Sequence, residues 1–170
     1  MKPINQEKAA RMLKMQVNGR GADLVDEEKI VEVKYNLLHQ NRYTHRSWRV
    51  HEYQMEYGKK KLAFWAFGFY RMDREVSEIK TTNLQSLGKM VMNRSLYIVP
   101  WSWMFQYKKY RQRGKGKAGP WDNTLRFPKY RELPPTKESW QVEGGLVHIT
   151  QDVPKDLFIL TGKKLEIIPS

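Results

Sequence analysis

Apolar and polar positions change period several times along the chain, and each change marks an element. Over residues 3–17, Ile4, Ala9, Met12, Leu13 and Val17 fall near helical spacing on one face. Pro3 suits a first helical turn, so a helix is predicted there, ended by Asn18-Gly19. Residues 22–25 and 29–35 are β-branched and partly alternating around an acidic turn at 26–28, which predicts a hairpin-like pair of strands. Residues 36–46 carry no period. Ser47 is placed to cap a helix over 48–57 that Gly58 ends. The stretch 62–71, LAFWAFGFYR, is the most apolar in the chain and predicts a central strand buried on both faces. Beyond an Asp73-Arg74 turn, an adjoining strand is expected over 76–80, a short helix over 84–92 and a strand over 96–99 stopped by Pro100. Trp101, Trp103 and Phe105 read as core or dimer interface. Strands are expected again at 140–149 and 157–168, the latter as a hairpin around Thr161-Gly162-Lys163.

The order of elements indicates an α/β fold with a mixed central β-sheet flanked by helices. Residues 1–107 form its core. Residues 108–137 read as a basic, proline-containing linker, and 138–170 as a β-rich C-terminal appendage packed on the core.

Charge adds a partner to this outline. Among 170 residues, 31 Lys and Arg stand against 18 Asp and Glu, a formal charge of +13. On a small domain that is an electrostatic footprint for polyanions, nucleic acid first among them. There are no cysteines, which excludes a disulfide scaffold, a cysteine zinc site and a thiol nucleophile, and fits a reducing cytoplasm. No run approaches the 18 apolar residues of a membrane span, and residues 1–15 do not read as a signal peptide, so no membrane partner is expected.

Candidate chemistry centres on Glu7, Asp23, Glu32 and Lys34. Residues two apart in a strand share a face and lie about 6–7 Å apart, so Glu32 and Lys34 project together while Val33 points to the core. Asp23 on the neighbouring strand can meet Glu32 across the pair. Two carboxylates on one surface repel unless a cation sits between them, and a hard divalent ion such as Mg²⁺ takes oxygen ligands of this kind. A lysine beside them can orient a water or stabilise developing charge. Together these groups suit phosphodiester cleavage. Glu-x-Lys also occurs at Glu27-Glu28-Lys29, in the expected turn, and at Glu78-Ile79-Lys80, which follows Asp73 and competes with the first pair.

With Gly21-Ala22-Asp23 followed by Glu32-Val33-Lys34, the chain resembles the PD-(D/E)xK nuclease superfamily, nearest to archaeal Holliday-junction-resolvase-like members, over about residues 3–100. Ala22 stands where the motif has proline. The resemblance implies a restriction-endonuclease-like core and a Mg²⁺- or Mn²⁺-dependent DNA endonuclease, often dimeric. It makes Asp23 and Glu32 metal ligands, the Val33 carbonyl a third, Glu7 an outer ligand from the preceding helix, and Lys34 the water-activating or charge-stabilising residue. Gln54 would be a polar residue close to the site.

Remaining basic residues read as phosphate contacts. Arg20 sits in a glycine-flanked loop near Asp23, and Lys59 and Lys60 precede the apolar strand. Lys108, Lys109, Arg111, Arg113, Lys115 and Lys117 form an acid-free run suited to tracking a backbone. His39, His45 and His51 are spaced six apart and share no helical face, so zinc is not expected. The expectation is therefore a homodimeric, DNA-cutting enzyme, possessing a branched or junction substrate in one version, in the cytoplasm, nucleoid-associated or in a host's cytoplasm if viral. RNA is the less favoured nucleic acid. A non-catalytic nucleic-acid-binding module on the same fold is the alternative.

Overall fold

A computed structural model of the chain describes residues 2–37, 50–51, 62–106, 110–112, 123–125 and 132–166. Helix α1 runs Lys2–Leu13 and stops earlier than its apolar spacing predicts. Lys14 takes a left-handed φ of 55°, and the Met15 N–H reaches back to the Ala10 carbonyl at 3.0 Å, closing the helix about one turn before Val17. The chain then forms the short strands β1 (Gln16–Val17) and β2 (Leu24–Val25), and the long β3 (Lys29–Leu37). Asp26 shapes the β2–β3 turn, accepting from the Glu28 and Lys29 N–H groups at 2.9 and 2.8 Å.

The helix expected over 48–57 lies mostly outside the described residues. Its Val50–His51 part is instead a strand, β4. Strand β5 (Leu62–Met72) is the predicted central strand and pairs parallel with β3. The strand expected at 76–80 is a short 3-10 turn at Val76–Glu78. Helix α2 (Leu84–Met90) is capped by Asn83, whose side chain accepts from the Gln85 and Ser86 N–H groups. Strand β6 (Val91–Pro100) is longer than expected and antiparallel to β5, and Trp101–Gln106 follows as a 3-10 turn. Within the expected linker, Tyr110–Gln112 (β7) and Asn123–Leu125 (β8) pair with each other, and β8 pairs with β4.

Residues 138–166 extend the central sheet rather than sitting on it as an appendage. Strands β9 (Thr136–Val142) and β10 (Gly145–Thr150) make a tight hairpin where one strand over 140–149 was expected. Gly144, at φ 101°, permits the reversal. Strand β10 then lies parallel to β6. The expected hairpin at 161–163 is absent: Lys155–Leu157 is a 3-10 turn, and β11 (Gly162–Leu165) pairs antiparallel with β9. The result is one eight-stranded mixed sheet in the order β1-β2-β3-β5-β6-β10-β9-β11. The α/β class and mixed sheet are as expected, with fewer helices around it.

Strand alternation sorts this sheet into two faces. On the helix face, α1 residues Ala9, Met12 and Leu13 pack against Val31, Val33, Phe64, Ala66, Leu96, Ile98, Val147 and Ile149. On the opposite face Trp65, Phe67, Phe69 and Val99 form a second core with Trp101 and Met104. Trp101 stacks on Trp65 at 4.1 Å between centroids. Glu32 and Lys34 belong to this second, ring-rich face, since they are in register with Trp65 and Phe67. No helix among the described residues is long and apolar enough to cross a membrane.

Candidate functional site

The register of β2 against β3 decides where the acids meet. Leu24 faces Val31, so Asp23, one residue earlier, arrives beside Glu32, one residue later. Strand β2 has only two residues, and β3 runs on beyond its pairing with that edge. Asp23 occupies the opened edge. Its Oδ2 accepts the Val33 N–H at 2.9 Å, while its own N–H donates to Glu32 Oε2 at 3.3 Å. The N–H and C=O of one strand residue point to the same side, so the Val33 carbonyl faces this edge as well. Lys34 Nζ stands 3.5 Å from Glu32 Oε1.

These groups are withdrawn from water. Glu32 is 2% exposed and Asp23 7%. Burial, then the negative charge of Asp23, pushes the Glu32 carboxyl from its ordinary value of 4.5 up to about 8, and the Lys34 ammonium pulls it back only in part. Two acids compressed together in a low-dielectric edge are a cost to the fold unless a proton or a cation joins them.

The third element at the site is α1, which contributes a residue that sequence reasoning passed over. Gln6 Nε2 donates to Asp23 Oδ1 at 2.6 Å. Glu7, expected to be the helix's contribution, is exposed. The signal was present in the helical period: Gln6 continues the stripe of Ala9, Ala10 and Leu13 at i, i+3, i+4 and i+7, all three buried, whereas Glu7 lies about 100° round the helix.

Asp23, Glu32, Val33 and Lys34 are thus brought together as the sequence suggested. Arg20 is exposed in the loop before Asp23, its N–H 3.5 Å from Asn18 Oδ1. Gln54, Lys59, Lys60, Lys108, Lys109, Arg113, Lys115 and Lys117 lie outside the described residues, and Arg111 is on β7. The competing Glu78-Ile79-Lys80 triplet begins in the 3-10 turn with Glu78 exposed, and no strand presents it. Of the histidines, His39 and His45 also fall outside. His148 is on β10, stacked on Tyr97 at 4.4 Å with its Nδ1 2.7 Å from Ser139 Oγ.

Among the described residues no group of three or more His, Asp or Glu side chains is assembled for a metal. The donors at the β3 edge are two carboxylates and a backbone carbonyl. Such an all-oxygen set suits a hard cation that keeps several of its waters, and lacks the nitrogen and sulfur ligands zinc takes. No family model, curated protein or solved structure matches the chain.

Proposed function

We propose that the protein is a Mg²⁺- or Mn²⁺-dependent endodeoxyribonuclease with a PD-(D/E)xK-type centre and restriction-endonuclease-like core. The observation that carries this reading is the buried Asp23–Glu32 pair with Lys34 Nζ 3.5 Å from the glutamate. The order of a helix, a short antiparallel pair and a long strand parallel to β5 supports it. The +13 charge supports a polyanionic substrate.

Asp23, Glu32 and the Val33 carbonyl would hold the cation. When bound, Mg²⁺ or Mn²⁺ lowers the pKa of a water and neutralises a phosphate oxygen. The chain's own groups do the rest. The Val33 N–H and Gln6 hold the Asp23 carboxylate in one orientation, and Lys34 offers positive charge where the phosphate develops negative charge. Two copies, one per strand, would suit duplex cutting, and a cytoplasmic setting suits a cysteine-free nuclease.

Labelled plasmid, four-way junction and single-stranded DNA, each incubated with Mg²⁺, Mn²⁺ or EDTA, test the reading. Cleavage is expected with either ion and none in EDTA. Undiminished cutting in EDTA overturns the mechanism. DNA binding without cleavage of any form in Mn²⁺ favours the non-catalytic binding module.

A further inference from the structure

The first turns of α1 are tied down at two adjacent residues. Asn5 Oδ1 accepts from Arg94 Nη1 at 2.7 Å, and that guanidinium is buried over the rings of Tyr35 and Tyr70, 5.4 and 5.7 Å from their centroids. Gln6, next in sequence, is thereby delivered to Asp23 Oδ1. An ionised carboxylate only accepts, so the Gln6 amide must turn its NH₂ toward it. Both Asp23 oxygens are then held, Oδ1 by Gln6 and Oδ2 by the Val33 N–H, each keeping a lone pair to spare.

Gln6 supplies a donor and no negative charge. Once a cation has displaced the proton that burial keeps on Glu32, the centre has two carboxylates against one ammonium, that of Lys34. One divalent cation turns its single net negative charge positive. A second would add two further charges to a buried edge where, among the described residues, no third carboxylate stands to receive them, which desolvation strongly opposes.

We infer that Gln6 is a positioning residue for Asp23 and that the centre takes a single divalent cation. The inference rests on the metal-dependent reading above. Its test is Mn²⁺ titration of the full chain without DNA, with free Mn²⁺ followed by its paramagnetic resonance. One Mn²⁺ per chain is expected. Gln6→Ala should weaken it about tenfold, the scale of losing a group that orients a ligand. Gln6→Glu, close in shape, should lower Tm in EDTA and bind Mn²⁺ more tightly than Gln6→Ala does. Gln6→Ala binding like the parent overturns the positioning role, and a lost ion in Glu7→Gln returns that role to Glu7. Two ions per parent chain, both lost in Asp23→Asn/Glu32→Gln, overturn the single-cation inference and leave the metal-dependent reading standing. Parent uptake no greater than that of this double variant overturns the metal-dependent reading itself.

Discussion

Strands β3, β5, β6 and β10 present two faces built from alternate residues of the same segments. On the helix face, Val31, Val33, Ala66, Leu96, Ile98 and Val147 close against α1 as an aliphatic layer. On the ring face, the intervening residues Glu32 and Lys34 stand in register with Trp65 and Phe67, and Phe67 leads on to Tyr97 and His148. One residue of strand separates the aliphatic packing from the acid pair and its lysine. Val33 shows how closely the two are joined: its side chain lies in the aliphatic core while its N–H holds Asp23. The helix face gives the edge a fixed backbone, and the ring face supplies the dry surroundings that make two acids and a lysine interact strongly.

The sharpest way to separate the faces is to remove a charge from the ring face. Lys34→Ala or Glu32→Ala is expected to reduce DNA cleavage by ~10²–10⁴ with DNA binding retained, as single-turnover rates at saturating DNA will show. Loss of binding in step with cleavage would mean the ring face holds DNA rather than cutting it.

On the helix face the same kind of truncation should act on stability. Leu96 is fully buried, and Leu96→Ala should cost about 2–5 kcal/mol in denaturant unfolding.

Glu32→Gln is expected to have the opposite sign in EDTA. Between pH 4.5 and about 8 the folded chain keeps a proton on Glu32 that the unfolded chain has released, so rising pH erodes stability through this window. The limiting slope is about 1.4 kcal/mol per pH unit. Glutamine removes that loss. The variant should match the parent near pH 4 and exceed it by a few kcal/mol at pH 8, read as Tm across the series. Equal Tm at pH 8 would show that Glu32 is not strained by its neighbours.

Gly68 gives a smaller break, at a crowded point on the helix face. A Cβ there would lie 2.7 Å from the Tyr35 ring and 2.9 Å from Leu96. Gly68→Ala should therefore destabilise by ~1–3 kcal/mol, measured by denaturant melts. Smallest of all, Glu78→Ala, on an exposed turn, should change neither cleavage nor Tm appreciably.

Features set by neighbours along the chain were legible. The run Leu62–Met72 is apolar on both sides of its pleat because both faces of β5 are covered, and it reads as a central strand for that reason. Glu32-Val33-Lys34 alternates because one side of β3 is aliphatic core. Local pattern misled where an end or a partner lies elsewhere. Residues 76–80 look strand-like, yet no strand among the described residues pairs with them, and Val76–Glu78 turns. The double glycine at 144–145 was an available hairpin signal inside an apolar run.

The amino-acid sequence by itself determined the central strand, the alternation that puts Glu32 beside Lys34, and the positive charge, since each depends on residue type and spacing alone. Tertiary structure decided which distant groups complete the edge. The Leu24–Val31 register brings Asp23 to Glu32, and Arg94 on Asn5 helps seat α1 so that Gln6, not Glu7, meets that aspartate. It also made the C-terminal strands part of the sheet by laying β10 along β6. Those choices join residues many positions apart, and their energy comes from burial and register that no local period records.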